Sequence, residues 1–188
     1  MNEKHTIGGR RVLVTGGAGF IGSNFVHRLL AKHHDAHVVV LDALTYAGRR
    51  ENLHGLRDTQ LTFVHGDIRD PEAVAMAMAG CDYVLNFAAE SHVDRSIETP
   101  GEFIQTDVYG VFVLAEEARR VGVKRFIQVS TDEVYGEVLE GHSTEDWALN
   151  PRSPYAASKA GGDRLAYAYW CTYGLPVVVT RCSNNYGP

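Results

Sequence analysis

Thr15-Gly16-Gly17-Ala18-Gly19-Phe20-Ile21-Gly22 is the stretch on which the reading of this chain turns. Ahead of it runs Arg11–Thr15, a short β-branched run. Behind it, Phe20–Lys32 repeats apolar residues at helical spacing. The glycines of this stretch therefore join a strand to a helix. Gly16 permits the tight turn, Gly19 lets a bound group approach the backbone, and Gly22 lets helix and strand pack closely. A pyrophosphate would then rest on the N–H groups at the positive helix end.

Working outward, short β-branched runs alternate with longer helical segments along the whole chain. The strands are expected at Arg11–Thr15, His37–Asp42, Leu61–His65, 82–86, 125–130 and 177–181. The helices are expected at Phe20–Lys32, 49–56, Pro71–Met78, 101–121 and Pro154–Tyr173. This alternation gives an α/β fold, a doubly wound parallel sheet of the Rossmann kind, whose ligands lie beyond the carboxyl ends of the strands. Asp42 lies twenty residues beyond Gly22, at the end of the second strand, where a carboxylate meets ribose hydroxyls and repels a 2′-phosphate. NAD is the expected cofactor, in preference to NADP. Arg49 and Arg50 follow closely, either to hold a phosphate or as a solvated helix start. Asp67 and Ile68 follow the third strand, either against the adenine or as a cap for the helix that opens at Pro71. The one long irregular stretch, 136–153, is of a length that in compact domains is commonly functional.

The 188 residues, 45% of them hydrophobic, suffice for one buried core. A net charge of -5 with scattered Lys and Arg offers no stripe for nucleic acid. No apolar run reaches membrane-spanning length, and the polar start has no signal-peptide core. A cytoplasmic protein is expected. Cys81, Cys171 and Cys182 are widely spaced and lack metal-ligand patterns, so no metal or disulfide is expected.

Tyr155 and Lys159 stand four apart near the start of the last helix and share a face. An ammonium beside a phenol stabilises phenolate and lowers its pKa, which makes a base for a sugar hydroxyl during hydride transfer. The fifth strand runs into Thr131-Asp132-Glu133, a hydroxyl and two carboxylates at the same edge of the sheet.

The glycine turn, Ala88-Ala89-Glu90-Ser91-His92-Val93-Asp94-Arg95-Ser96, Ser130-Thr131-Asp132-Glu133-Val134-Tyr135-Gly136, Tyr155-Ala156-Ala157-Ser158-Lys159 and Cys182-Ser183-Asn184-Asn185-Tyr186-Gly187-Pro188 together resemble the extended short-chain dehydrogenase/reductase family. Within it they are most similar to the 4,6-dehydratases of sugar nucleotides such as dTDP-glucose. Sister epimerases and decarboxylases generally lack the adjacent Asp-Glu. The resemblance implies that Tyr155, supported by Lys159 and Thr131, takes the proton of the sugar 4-hydroxyl while hydride passes to NAD. Glu133 would then remove the C5 proton, Asp132 would protonate the departing C6 hydroxyl, and hydride would return to C6. It implies a cofactor site of Gly16, Gly19, Phe20, Ile21, Gly22, Asp42, Ala43, Leu44, Thr45, Asp67, Ile68, Phe87, Ala88, Ala89, Glu90, Ser91, Thr106, Tyr155, Lys159 and Asn185. Ser91, Thr131 and Asn184 would touch the sugar.

Two positions depart from the family pattern: Asp107 stands where relatives commonly have Asn, and Ala43 where many have Lys. In relatives the closing motif leads into a smaller domain that grips the nucleotide. Residues 1–188 are thus read as the NAD-binding domain with the catalytic residues, and the nucleotide-sugar domain lies outside this chain. The family also implies a homodimer through the two long helices, with Phe103, Val111, Val113, Leu114, Leu165, Tyr169 and Trp170 as the apolar surface. The competing readings are a 4-epimerase, a UDP- or GDP-sugar dehydratase, and a non-catalytic NAD-binding module.

Overall fold

The computed structural model describes residues 7–187. The opening residues 1–6 and Pro188, the last residue of the closing motif, lie outside the described residues. Six strands form one sheet: β1 (Arg11–Thr15), β2 (His37–Asp42), β3 (Leu61–His65), β4 (Tyr83–Asn86), β5 (Arg125–Thr131) and β6 (Val177–Cys182). Their order is β3-β2-β1-β4-β5-β6, and all neighbours are parallel. The order reverses between β1 and β4, so the strand ends part there and leave a crevice.

Side chains alternate across the sheet, and the register turns that alternation into two cores. Leu13, Val39, Val84 and Phe126 form one row, packed against α2 (Pro71–Met78), α5 (Val111–Val121) and α6 (Pro154–Tyr173). Val14, Val40, Leu85 and Ile127 form the other, covered by α1 (Phe20–Lys32) and a 3-10 turn at Arg50–Leu53. Helix α1 buries Gly22, Val26, Leu29 and Leu30, one stripe at helical spacing. Helix α6 begins with Ser153, whose Oγ accepts the Ala156 N–H at 3.0 Å, and with Pro154 in its first turn; it ends at Gly174 in the left-handed conformation.

The helices differ from expectation in three places. The segment 49–56 forms only the short 3-10 turn, because Gly55 takes a left-handed φ of 83° just beyond it. Helix α3 (Val93–Glu98) arises where no helix is expected. Segment 101–121 divides into α4 (Pro100–Ile104), a π-helical turn (Gln105–Gly110) and α5. Packing explains the division. A Cβ on Gly162 of α6 would lie 2.2 Å from the Asp107 carbonyl oxygen, so the two backbones meet too closely for an undistorted crossing.

The expected outer surface also changes. Phe103, Val111, Val113, Leu114 and Tyr169 are buried, and Leu165 packs on the core, because they serve the sheet. The exposed aromatics of these helices are Tyr109, Phe112, Tyr167, Trp170 and Tyr173. Among the described residues, no helix is long and apolar enough to cross a membrane.

Candidate active site

All six strands deliver their carboxyl ends to one edge, where the outgoing loops enclose a cleft of about 450 Å³. One half is built mainly of backbone. Gly16 has φ +66°, and a Cβ there would lie 2.6 Å from the Ala88 nitrogen; a Cβ on Gly22 would lie 2.2 Å from the Gly16 oxygen. Gly19 opens α1 with no side-chain cap and no acidic residue in the first turn. An anion seated there meets uncapped N–H donors and the positive helix end. Phe20 and Ile21 line the mouth and remain exposed.

Asp42, at the end of β2, is buried. Its Oδ2 accepts the Ala18 N–H at 2.8 Å and its Oδ1 the Leu44 N–H at 2.9 Å, which pins both loops. A carboxylate offers about four acceptor positions, so lone pairs remain for ribose hydroxyls. Ala43 and Thr45 line the cleft. Leu44 does not: at φ 51° its side chain packs on the α1-side core, and only its backbone serves the site. Arg49 and Arg50 are exposed outside the cleft walls, with the Arg50 guanidinium 4.9 Å over the Phe63 ring. Neither lines the cleft. The helix cap after β3 is Asp70, which accepts the Glu72 N–H. Asp67 and Ile68 line the cleft. Burial pushes the Asp67 carboxyl up, but hydrogen bonds from Arg69, backbone and guanidinium, more than offset that and hold it low.

The other half is built of side chains. Phe87, Ala88, Ala89, Glu90 and Ser91 leave β4; Thr106 comes from the π-turn; Thr131 and Glu133 leave β5; Tyr155 and Lys159 come from α6; Asn184 and Asn185 follow β6. All line the cleft. Beneath them runs a buried ladder across the strands, with Thr15 Oγ1 donating to Asn86 Oδ1 and Asn86 Nδ2 to Gln128 Oε1. The ammonium of Lys159, 7% exposed, donates to the Val129 carbonyl at 3.0 Å.

Two expectations change at this end. Burial first, then the neighbouring carboxyls of Glu133 and, whenever it is ionised, Asp107, push the Tyr155 phenol up to about 12, against a downward pull from the Thr131 hydroxyl. The lowering expected from Lys159 does not appear, because its ammonium is turned to Val129. Asp132 stands beside the cleft, outside its walls: a 3-10 turn (Asp132–Tyr135) follows β5 directly, and Asp132 Oδ1 accepts from Thr131 Oγ1 at 3.3 Å. Glu133 reaches the cleft with its carboxyl raised, chiefly by burial and then by Asp132.

Sequence reasoning missed Tyr46. Its hydroxyl accepts the Ser91 N–H at 2.9 Å and lies 2.7 Å from Ser91 Oγ, while Arg95 stacks 3.8 Å above its ring. This clasp holds His92, a cleft residue at φ 81°, a conformation that costs a non-glycine residue about 1–3 kcal/mol. No local pattern marks a tyrosine for that task.

A doubly wound sheet, a glycine turn under a helix start, and a Tyr/Lys pair facing a Thr and an acid across one cleft define a dinucleotide-type α/β domain. The chain belongs to the GDP-mannose 4,6 dehydratase family, which it matches over residues 13–188. It is 55% identical to the low-salt glycan biosynthesis protein Agl12 of Haloferax volcanii over 94% of this chain and 57% of that one. It is 51% identical to the dTDP-glucose 4,6-dehydratase of Mycobacterium tuberculosis over 95% of this chain and 54% of that one. Among solved structures, the dTDP-glucose 4,6-dehydratase of Streptomyces venezuelae, with NAD and a second ligand bound, superposes with a TM-score of 0.91 at 56% identity, covering 95% of this chain and 57% of that one. The chain spans little more than half the length of these relatives.

Proposed function

We propose that this chain is the NAD-binding and acid-base part of a sugar-nucleotide 4,6-dehydratase acting on dTDP-glucose or a close analogue. The observation that carries the reading is the convergence of Thr131, Glu133, Tyr155 and Lys159 on the cleft that the Gly16 turn opens. The residues suit NAD: the uncapped α1 end takes the pyrophosphate, Asp42 the ribose, and Glu90, Ser91, Thr106 and Asn185 line the remaining wall. When bound, NAD supplies a hydride acceptor at C4 and a donor at C6. With a phenol at about 12, Tyr155 is protonated at rest, so taking up the 4-hydroxyl proton needs a positive field beside the phenol. Thr131 positions that hydroxyl, and Lys159 fixes the Val129 end of β5 on which Thr131 sits.

Glu133, its carboxyl raised by burial and by Asp132, is suited to take the C5 proton and give it back. Asp132 serves as the acid for the C6 hydroxyl, and this role requires it to swing from its bond to Thr131. Ser91 and Asn184 would hold the sugar. In this reading a second domain grips the nucleotide, and the active protein is a cytoplasmic homodimer. The exposed Tyr109, Phe112, Tyr167, Trp170 and Tyr173 around α5 and α6 support that pairing, and sedimentation velocity tests it.

The deciding experiment is turnover of dTDP-glucose by the full-length protein in deuterated water. A 4-keto-6-deoxy product labelled at C5 is expected. An unlabelled galactose-configured product would overturn dehydration in favour of epimerisation, and Glu133→Gln should abolish elimination while sparing NAD binding.

A further inference from the structure

Asp107 is buried, at 2% exposure, in the π-helical turn between α6 and the loop that leaves β4. Its Oδ1 accepts the Glu90 N–H at 3.0 Å. Its Oδ2 lies 2.7 Å from Ser158 Oγ, and Ser158 Oγ in turn lies 2.8 Å from the Tyr155 carbonyl oxygen. Three oxygens thus stand in a row with two short gaps. A serine hydroxyl carries one hydrogen and a backbone carbonyl carries none. An ionised Asp107 would leave one gap as lone pair against lone pair between buried groups, where such a contact is unfavourable.

We propose that Asp107 is a protonated, amide-like positioning residue, accepting from Glu90 N–H at one oxygen and donating from the other to Ser158, whose own hydrogen passes to the Tyr155 carbonyl. The relay joins the cleft loop at Glu90 to the first turn of α6, so the two walls carrying Glu90 and Tyr155 keep one spacing. The charged groups around it are consistent with a neutral carboxyl. Lys159 on α6 favours the ionised form, as do the bonds from Ser158 and Glu90 N–H, but burial outweighs all three and drives the carboxyl up. Glu90, itself raised by burial, has its Oε2 buried without a partner, and a charge on Asp107 would burden it further. Arg95 on α3, Arg69 after β3 and Glu102 on α4 act on Glu90, with the two arginines opposing the acids. A charged Asp107 would also hinder ionisation of Tyr155, so its proton serves the base.

The proposal rests on the dehydratase reading only for that last benefit, and its test requires no turnover. Infrared difference spectra at neutral pH, wild type minus Asp107→Asn, should show a protonated-carboxyl carbonyl band that shifts in deuterated water. Ser158→Ala should displace the same band, since it removes the acceptor of the acid proton. Absence of the band from the difference spectrum, or a band indifferent to Ser158→Ala, would overturn the assignment. The pH dependence of stability supplies an independent sign. A raised folded pKa means that wild type loses stability relative to Asp107→Asn as pH rises through the ordinary carboxyl range. An ionised Asp107 paired with Lys159 would make wild type gain over the same range, and that outcome would defeat the proposal.

Discussion

The two halves of the cleft are made of different materials. On the β1–β3 side the contacts are backbone: the Gly16 turn, the uncapped start of α1, and Asp42 with an acceptor site on each oxygen already bound to a loop N–H. On the β4–β6 side buried or half-buried ionisable groups crowd together, with Asp107, Lys159, Tyr155 and Asp163 all within or near α6. A backbone cradle holds an anion whatever the pH and fails only where a Cβ has no room. A cluster of ionisable side chains can move protons, and each member depends on its neighbours' charges. The contrast separates binding from chemistry, and substitutions on the two sides should fail in different ways.

The sharpest break should come at Tyr155. Tyr155→Phe removes the transferable proton and leaves the ring contact with Phe103, so kcat of the full-length protein should fall about 10²–10⁴-fold. Its NAD affinity, measured by titration, should stay within a few-fold, and a comparable loss of both would erase the distinction between the halves. Asp163 comes next. It is fully buried and accepts from Arg181 Nε at 2.7 Å and Nη2 at 3.0 Å, while Arg181 Nη1 donates to the Tyr135 hydroxyl. Asp163→Ala would strand that guanidinium, and the cost in urea unfolding should be about 3–5 kcal/mol.

The backbone half was also the more legible in sequence, and for a related reason. Glycine spacing, an apolar stripe and a carboxylate at a strand end are local signals, so β1, α1, β2 and Asp42 stand where the residues indicate. The six strands fall within one residue of their expected ends. What stayed hidden depends on contacts distant in sequence. The π-turn at Gln105–Gly110 follows from Gly161 and Gly162 pressing against Val108 and Asp107, some fifty residues away, and nothing inside 101–121 announces it. Helix α3 starts from His92 at a positive φ, next to Ser91, whose N–H donates to the Tyr46 hydroxyl from a loop forty-five residues away. Asp132 and Glu133 are adjacent in sequence, and only the 3-10 turn determines which of them reaches the cleft.

Smaller effects should mark the backbone half. Gly16→Ala puts a Cβ against the Ala88 nitrogen at a left-handed φ, and overpacking of this kind costs about 1–3 kcal/mol. Part of the strain will be relieved by moving the turn away from the phosphate position. NAD affinity by calorimetry should therefore fall more than thermal stability does. If affinity held while stability fell, the turn would be a structural element only, and the cradle would have to be sought elsewhere.

The smallest effect should be at Asp67, which pairs with Arg69 on the binding side. Arg69 holds its carboxyl below the ordinary range despite burial, so the pair stabilises the fold above the unfolded carboxyl pKa and that contribution is lost as pH falls through the folded value. Both side chains are about a third exposed, and the screened pair should contribute under about 1 kcal/mol. Asp67→Asn should accordingly lower the urea midpoint slightly at neutral pH and leave it unchanged in acid, with the difference shrinking in high salt. An effect several times larger would mean that Asp67 anchors the β3 loop as firmly as Asp163 anchors β6. The binding half would then depend on a buried ion pair, as the reacting half does, and the division between backbone and ionisable side chain would not hold.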